Sequence, residues 1–149
     1  MKISTRGRYG LKALVDLAAQ EDSKCITLKS IAERQGISEH YLEQLIAHLK
    51  KAGLVQSVRG AQGGYHLKVP ASEISVGDVL RVMEGSLYPV ECVLDPETGS
   101  CGAANCTTCA TKTVWERMYR GMNDVMDSIT LQNLVDDYRK MLTEEASKP

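Results

Sequence analysis

Two short amphipathic stretches, each closed by a glycine, run straight into a β-prone segment with a glycine-rich break, and this succession constrains the chain more than any other feature. Thr27 is placed to cap a helix through Leu28, Ile31 and Ala32 that stops at Gly36. Ser38 is placed to cap the next, with Leu42, Leu45, Ile46 and Leu49 on one face until Gly53. Two short helices joined by a tight glycine-containing turn form a helix-turn-helix. Leu54 to Val58 then reads as a strand, Arg59-Gly60-Ala61-Gln62-Gly63-Gly64 as a flexible tip and Tyr65-His66-Leu67 as the returning strand. Ahead of them, Tyr9, Leu11, Leu14, Val15, Leu17 and Ala18 recur near helical spacing, which predicts a first helix from Thr5 that ends before Glu21. Residues 1–70 are therefore expected to form a winged helix-turn-helix, in a chain that is mainly α with a small β-hairpin wing.

The exposed face of the second short helix should carry Glu39, His40, Glu43, Gln44 and Ala47, because the apolar positions between them point inward. The amino-terminal end of such a helix enters the major groove of DNA, where Gln44 can read adenine and Glu43 can accept a hydrogen bond from cytosine N4. A solvated Glu43 that missed a base edge would only repel phosphate. Ser38 and Tyr41 share that helix end, although the rings of Tyr9, Tyr41 and Tyr65 suit packing better than base stacking. Lys2, Arg6, Arg8, Lys50 and Lys51 read as phosphate contacts. At the wing tip Arg59, freed by Gly60, can lie in a narrow minor groove.

Charge supports an anionic partner. The net charge of the 149 residues is −1, but residues 1–70 hold 11 basic and 6 acidic side chains (+5) and residues 71–149 hold 7 and 13 (−6). A basic reading half with an acidic half held away from it suits nucleic acid. With 43% hydrophobic residues there is material for one core, and no apolar run long enough for a membrane span or a secretory signal is present, so the cytoplasm is the expected location.

Beyond Pro70, residues 71–110 read as a connecting helix and a cysteine loop. Ser75-Val76-Gly77-Asp78 starts a helix containing Val79, Leu80, Val82 and Met83, closed by Gly85. Residues 111–142 read as a dimerisation helix followed by a terminal helix, and 143–149 as a flexible tail. In the first of these helices Val114, Met118, Met122, Val125 or Met126 and Ile129 make an apolar stripe beside Trp115 and Tyr119. A helix so apolar needs a partner, and a second copy of the chain is the obvious one. Thr130 is placed to cap the terminal helix bearing Leu131, Leu134, Val135, Tyr138, Met141 and Leu142. A homodimer would set two reading helices about 34 Å apart on a pseudo-palindrome.

Cys92, Cys101, Cys106 and Cys109 follow the pattern C-x8-C-x4-C-x2-C, while Cys25 stands alone. Four soft thiolates in one loop can close on zinc or on an iron-sulfur cluster, and an odd cysteine total disfavours a disulfide framework. Only the Cys106–Cys109 end has the close spacing of a zinc knuckle, and that pair lacks the strand-helix setting of a thioredoxin-like site. No nucleophile elbow or carboxylate pair points to an enzyme, and His40, His48 and His66 all lie in the reading half.

The runs Lys2-Ile-Ser-Thr-Arg-Gly-Arg-Tyr-Gly10, Ser38-Glu-His-Tyr-Leu-Glu-Gln-Leu45, Gly53-Leu-Val-Gln-Ser-Val-Arg-Gly60 and Gly63-Gly-Tyr65 closely resemble the bacterial winged-helix regulators that include IscR, NsrR and CymR. The resemblance covers roughly residues 1–142. It implies a homodimer held by a long carboxyl-terminal helix. It also implies a cluster on the loop before that helix, for which Cys92, Cys101 and Cys106 look like three ligands. IscR-like members add a histidine where this chain has Cys109, a softer and more negative donor expected to bind iron and lower the reduction potential. NsrR-like members use an aspartate from the partner subunit, matched here by Arg8, which cannot serve. CymR-like members lack the loop and sense through a partner metabolic enzyme. By the same resemblance Glu43 would discriminate among operator classes. The expectation is a DNA-binding regulator with a 2Fe-2S cluster favoured over 4Fe-4S, zinc being the alternative.

Overall fold

The computed structural model describes residues 2–20, 25–93 and 108–149. Helix α1 spans Thr5–Ala19, α2 Leu28–Gln35 and α3 Glu39–Lys51. The hairpin strands β1 (Val55–Val58) and β2 (Gly64–Leu67) follow, then α4 (Val76–Glu84), α5 (Lys112–Ser128) and α6 (Leu131–Ala146). Single 3-10 turns occupy Ala71–Glu73 and Glu91–Val93. The sequence dictates the helix starts through short polar caps. The Thr27 hydroxyl accepts from the Ser30 N–H at 3.2 Å, and the Ser38 hydroxyl accepts from the Tyr41 N–H at 3.1 Å. Gly36 ends α2 at φ 63°, a left-handed conformation that glycine adopts without strain, and so sets the turn into α3.

The hairpin is antiparallel, with Val55 opposite Leu67 and Val58 opposite Gly64. Gly64, expected in the tip, is therefore already part of the return strand. Ile26 adds a bridge to Tyr65, with N–H to O distances of 2.9 and 2.8 Å in the two directions, and ties the wing to the α1–α2 connection.

One core joins the winged helix-turn-helix and the carboxyl-terminal half. Leu14, Leu17, Ile31, Leu42, Leu45, Ile46, Leu49 and Val55 pack with Ile74, Val79, Met83, Leu131 and Val135. Each such aliphatic side chain contributes about 1.5–3 kcal/mol on leaving water. Helix α6 returns to this core through Leu131 and Val135, while Leu134 packs against the smaller cluster around Met126 of α5. Helix α6 also runs to Ala146, into the segment expected as a tail. Helices α4 and α6 start side by side: Val76 N–H donates to Ile129 O at 2.8 Å and Leu131 N–H to Ile74 O at 2.9 Å. Both starts carry a capping box, Ser75 with Asp78 and Thr130 with Asn133.

The apolar stripe of α5 divides in two. Met126 is buried with Val76, Leu80 and Leu87, and Met122 packs against them. Val114, Met118 and Val125 remain 49, 54 and 61% exposed. Among the described residues no helix is long and apolar enough to cross a membrane.

Candidate nucleic-acid interface and cysteine site

Helix α3 is buried along Leu42, Leu45, Ile46 and Leu49, so the helical repeat turns Glu39, His40, Glu43, Gln44 and Ala47 into solvent, and all five are exposed. The carboxamide of Gln44 lies 3.3 Å from the His40 ring one turn earlier. Such a surface pair leaves hydrogen-bonding capacity for a base edge. Tyr41 is half-buried, and its ring meets Tyr9 of α1 edge-to-face at 6.2 Å with the planes at 85°. Its side chain thus braces α3 on α1. Lys12 sits over the other partner, its Nζ 5.4 Å from the Tyr9 ring centre.

The candidate phosphate contacts surround this face. Lys2, Arg6 and Arg8 are exposed at the start of α1, and Lys50 and Lys51 at the end of α3. Lys50 Nζ donates to Ser57 Oγ of β1 at 2.7 Å, so the reading helix and the wing are joined by a side chain that also carries charge. Arg59 and Gly60 are exposed at the wing tip, which closes through Gly63 N–H to Gly60 O at 3.0 Å. Gly60 has φ 119°, which a bulkier residue would resist.

An ion pair that the periodicity gave no place to fixes the helix-turn-helix on α1. Asp16 is 8% exposed. Its Oδ1 accepts from Arg34 Nε at 3.1 Å and the terminal guanidinium nitrogen at 2.6 Å. Its Oδ2 accepts from Arg34 Nε at 3.0 Å and Gln35 Nε2 at 2.9 Å. The Asp16 hydrogen bonds raise the Arg34 pKa, which keeps the guanidinium charged throughout. The available signal was an acid within the apolar register of α1, since an aspartate at a core position requires a partner.

Of the four loop cysteines, Cys101 and Cys106 lie outside the described residues. Cys92 is buried in the Glu91–Val93 turn, and Cys109 is half-buried just ahead of α5. Cys109 Sγ lies 3.2 Å from Thr111 Oγ1. That hydrogen bond, followed by the backbone N–H of Lys112, holds the thiol below its ordinary pKa, as a metal-binding thiolate requires. Cys25, Cys92 and Cys109 carry free thiols, and no group of three metal-ligating side chains assembles among the described residues. The donor set suits a soft metal in its chemistry: one thiol is already biased toward thiolate, and another is shielded from water.

Comparison with known proteins identifies the scaffold. The family model for Rrf2, an iron-dependent transcriptional regulator, matches residues 3–137. The transcriptional regulator CymR of Bacillus subtilis is 44% identical over 134 residues, spanning 90% of this chain and 89% of CymR. Its solved structure superposes with a TM-score of 0.78 at 41% identity, over 91% of this chain and 97% of that one. The transcriptional regulator IscR of Vibrio atlanticus is 40% identical over 140 residues, 92% of this chain and 76% of IscR. The solved T. potens IscR has a TM-score of 0.74 and 47% identity, covering 100% of this chain and 93% of that one. These relatives are regulators and not enzymes. With its helix-turn-helix, its hairpin wing and this match over most of its length, the chain belongs to the Rrf2 family of transcriptional regulators.

Proposed function

We propose that the protein is a homodimeric regulator that binds a pseudo-palindromic operator in the cytoplasm and responds to an iron-sulfur cluster on Cys92, Cys101, Cys106 and Cys109. The observation that carries the reading is the α3 edge, where Glu39, His40, Glu43, Gln44 and Ala47 face solvent on a helix whose opposite side is fully buried, beside a wing tipped by Arg59. Gln44 reads adenine by paired hydrogen bonds and Glu43 accepts from cytosine, while Lys2, Arg6, Arg8, Lys50 and Arg59 hold the backbone and groove. Ser38, Tyr41 and Gly60 act through the shape of the helix start and wing tip. A second copy of the chain is the partner of the exposed Val114, Met118 and Val125 on α5. The apolar cleft between α1 and α6, lined by Leu11, Val15, Tyr138 and Met141, offers further surface for it.

A bound cluster supplies a redox-sensitive iron centre, and we favour 2Fe-2S over 4Fe-4S, with structural zinc as the alternative. Cys109 stands at the start of α5 with its thiol hydrogen-bonded to Thr111, and Cys92 lies in a turn packed on the same helix. Loop closure at those two residues would therefore act directly on α5. The similarity to CymR favours a second reading in which a partner metabolic enzyme delivers the signal, although the four loop cysteines then have no task.

The test is anaerobic purification with visible and electron paramagnetic resonance spectra, and with iron, sulfide and zinc counted per chain, for the native protein and Cys109→Ala. Iron with sulfide, lost or altered in the variant, supports the sensor and Cys109 as fourth ligand. Stoichiometric zinc without sulfide leaves a DNA-binding dimer with a scaffolding loop. Equal operator affinity with and without the cluster, for native protein and Glu43→Ala alike, would remove Glu43 from the sensing step.

A further inference from the structure

Helices α4 and α6 each supply their own capping box, but α1 cannot. Its cap is Ser4, whose hydroxyl accepts from the Gly7 N–H at 3.1 Å, and the position that should return a side chain to the Ser4 N–H is Gly7 itself. The missing acceptor comes from eighty positions away. Glu84 Oε1, in the last turn of α4, accepts from Ser4 N–H at 3.0 Å and from the Ser4 hydroxyl at 2.6 Å. Gly7 makes room for it, because a Cβ there would meet the Glu84 carboxylate, and a Cβ at Gly10 would lie 2.6 Å from Met83 Sδ. The two glycines let α4 approach α1 closely enough for the carboxylate to reach.

The same helix is fastened on its other side to α5. Arg81, three residues before Glu84, donates to Asn123 Oδ1 and to both oxygens of Asp127, each at 2.8 Å. At Gly77 a Cβ would meet the Asp127 carboxylate and the Arg81 guanidinium. Helix α4 is thus a strut with one polar clamp on α5 and one on the cap of α1, which Lys2 precedes and Arg6 and Arg8 follow.

The geometry points to Glu84 as a positioning residue for DNA binding. By completing the α1 cap from α4, it holds Lys2, Arg6 and Arg8 in register for phosphate and makes that register depend on where α5 holds the strut. Glu84 itself need not touch DNA. This rests on the reading of the protein as a DNA-binding regulator.

The test is a cycle of the full-length protein on a duplex selected from a random library by the native chain, with anisotropy titrations across a salt series. Glu84→Ala is expected to weaken binding about tenfold and to lower the salt slope by about one to two, as for one or two lost phosphate contacts. In a Lys2→Ala/Arg6→Ala/Arg8→Ala background the same change should cost less than about twofold, because the side chains it positions are gone. Glu84→Gln, whose carbonyl oxygen can accept both hydrogen bonds, should restore native behaviour. Equal losses in both backgrounds would reduce Glu84 to general stability and overturn the proposal, as would native affinity in Glu84→Ala. Should Glu84→Ala not fold, Ser4→Ala enters the same cycle with the same expectation. Salt-independent or absent duplex binding by the native chain would sink the regulator reading and this proposal with it. A normal native chain with an indifferent Glu84 sinks the proposal alone.

Discussion

Replacing Arg34 by methionine tests what fixes the helix-turn-helix to α1. Native Asp16 accepts four hydrogen bonds, three from Arg34 and one from Gln35. In Arg34→Met the carboxylate keeps only the Gln35 donor, and its side chain is 5% exposed. Stranding a fully buried charge costs about 3–5 kcal/mol, whereas an exposed pair contributes at most about 1 kcal/mol. The Arg34 side chain is 38% exposed and leaves a path for water to the stranded oxygen. We therefore expect a loss of about 2 kcal/mol, or roughly 4–8 °C in Tm for a chain of this size. The assay is urea unfolding by circular dichroism at one fixed protein concentration, since the proposed dimer would link stability to concentration. Asp16→Asn/Arg34→Met should be no less stable than Arg34→Met alone, because the second change removes the stranded charge, giving a coupling of about 1–2 kcal/mol. A loss below about 0.5 kcal/mol for Arg34→Met, or additive single losses, would refute the account of a buried carboxylate that depends on Arg34.

Gly64→Ala sets a Cβ 2.6 Å from the Ile26 carbonyl oxygen, and backbone cannot swing aside. We expect about 1–3 kcal/mol of destabilisation and faster amide exchange at Ile26 and Tyr65; unchanged exchange there would contradict it. Arg59→Ala should weaken duplex binding and lower the salt slope by about one if the arginine neutralises a phosphate, while an unchanged slope would assign it elsewhere. In metal-free protein, alkylation of Cys109 should reach half its maximal rate at a pH below that of an ordinary thiol, because the hydrogen bond to Thr111 favours the thiolate. Thr111→Val should move that midpoint upward, and mass spectrometry across a pH series reads both. If the proposed dimer forms through α5, Met118→Glu/Val125→Glu should convert it to monomer in sedimentation at unchanged helicity; a persistent dimer would place the interface elsewhere.

Much of the architecture was legible because its signals are local. Thr27, Ser38, Ser75 and Thr130 each cap the helix expected of them, since a hydroxyl reaching two or three residues ahead needs nothing from the rest of the fold. The buried and exposed faces of α3 followed from the helical repeat for the same reason. Tyr41 shows the limit. Its place on the reading helix was visible, but the ring's bracing contact with Tyr9 depends on how α1 crosses α3.

Where α6 would pack was less legible. Charge changes sign at Pro70, yet Leu131 and Val135 of α6 enter the same core as Leu14 and Leu45. Amphipathic periodicity says that a helix has an apolar face and is silent on which surface receives it. The α5 stripe is a second instance: one apolar run in sequence, parted by the helical twist into Met126 inside and Val125 outside.

The sequence by itself determined the helices with the caps at Thr27, Ser38, Ser75 and Thr130, the hairpin wing, the side of α3 that meets solvent and the close spacing of four cysteines, all of them set within a few turns of chain. Tertiary structure alone decided the contacts whose members are far apart in sequence: Asp16 with Arg34, Ile26 with Tyr65, Arg81 with Asp127 and Glu84 with Ser4. Each joins polar groups that satisfy one another only after the core has brought their helices or strands together, and hydrophobic burial carries no label for which polar partners will then be adjacent.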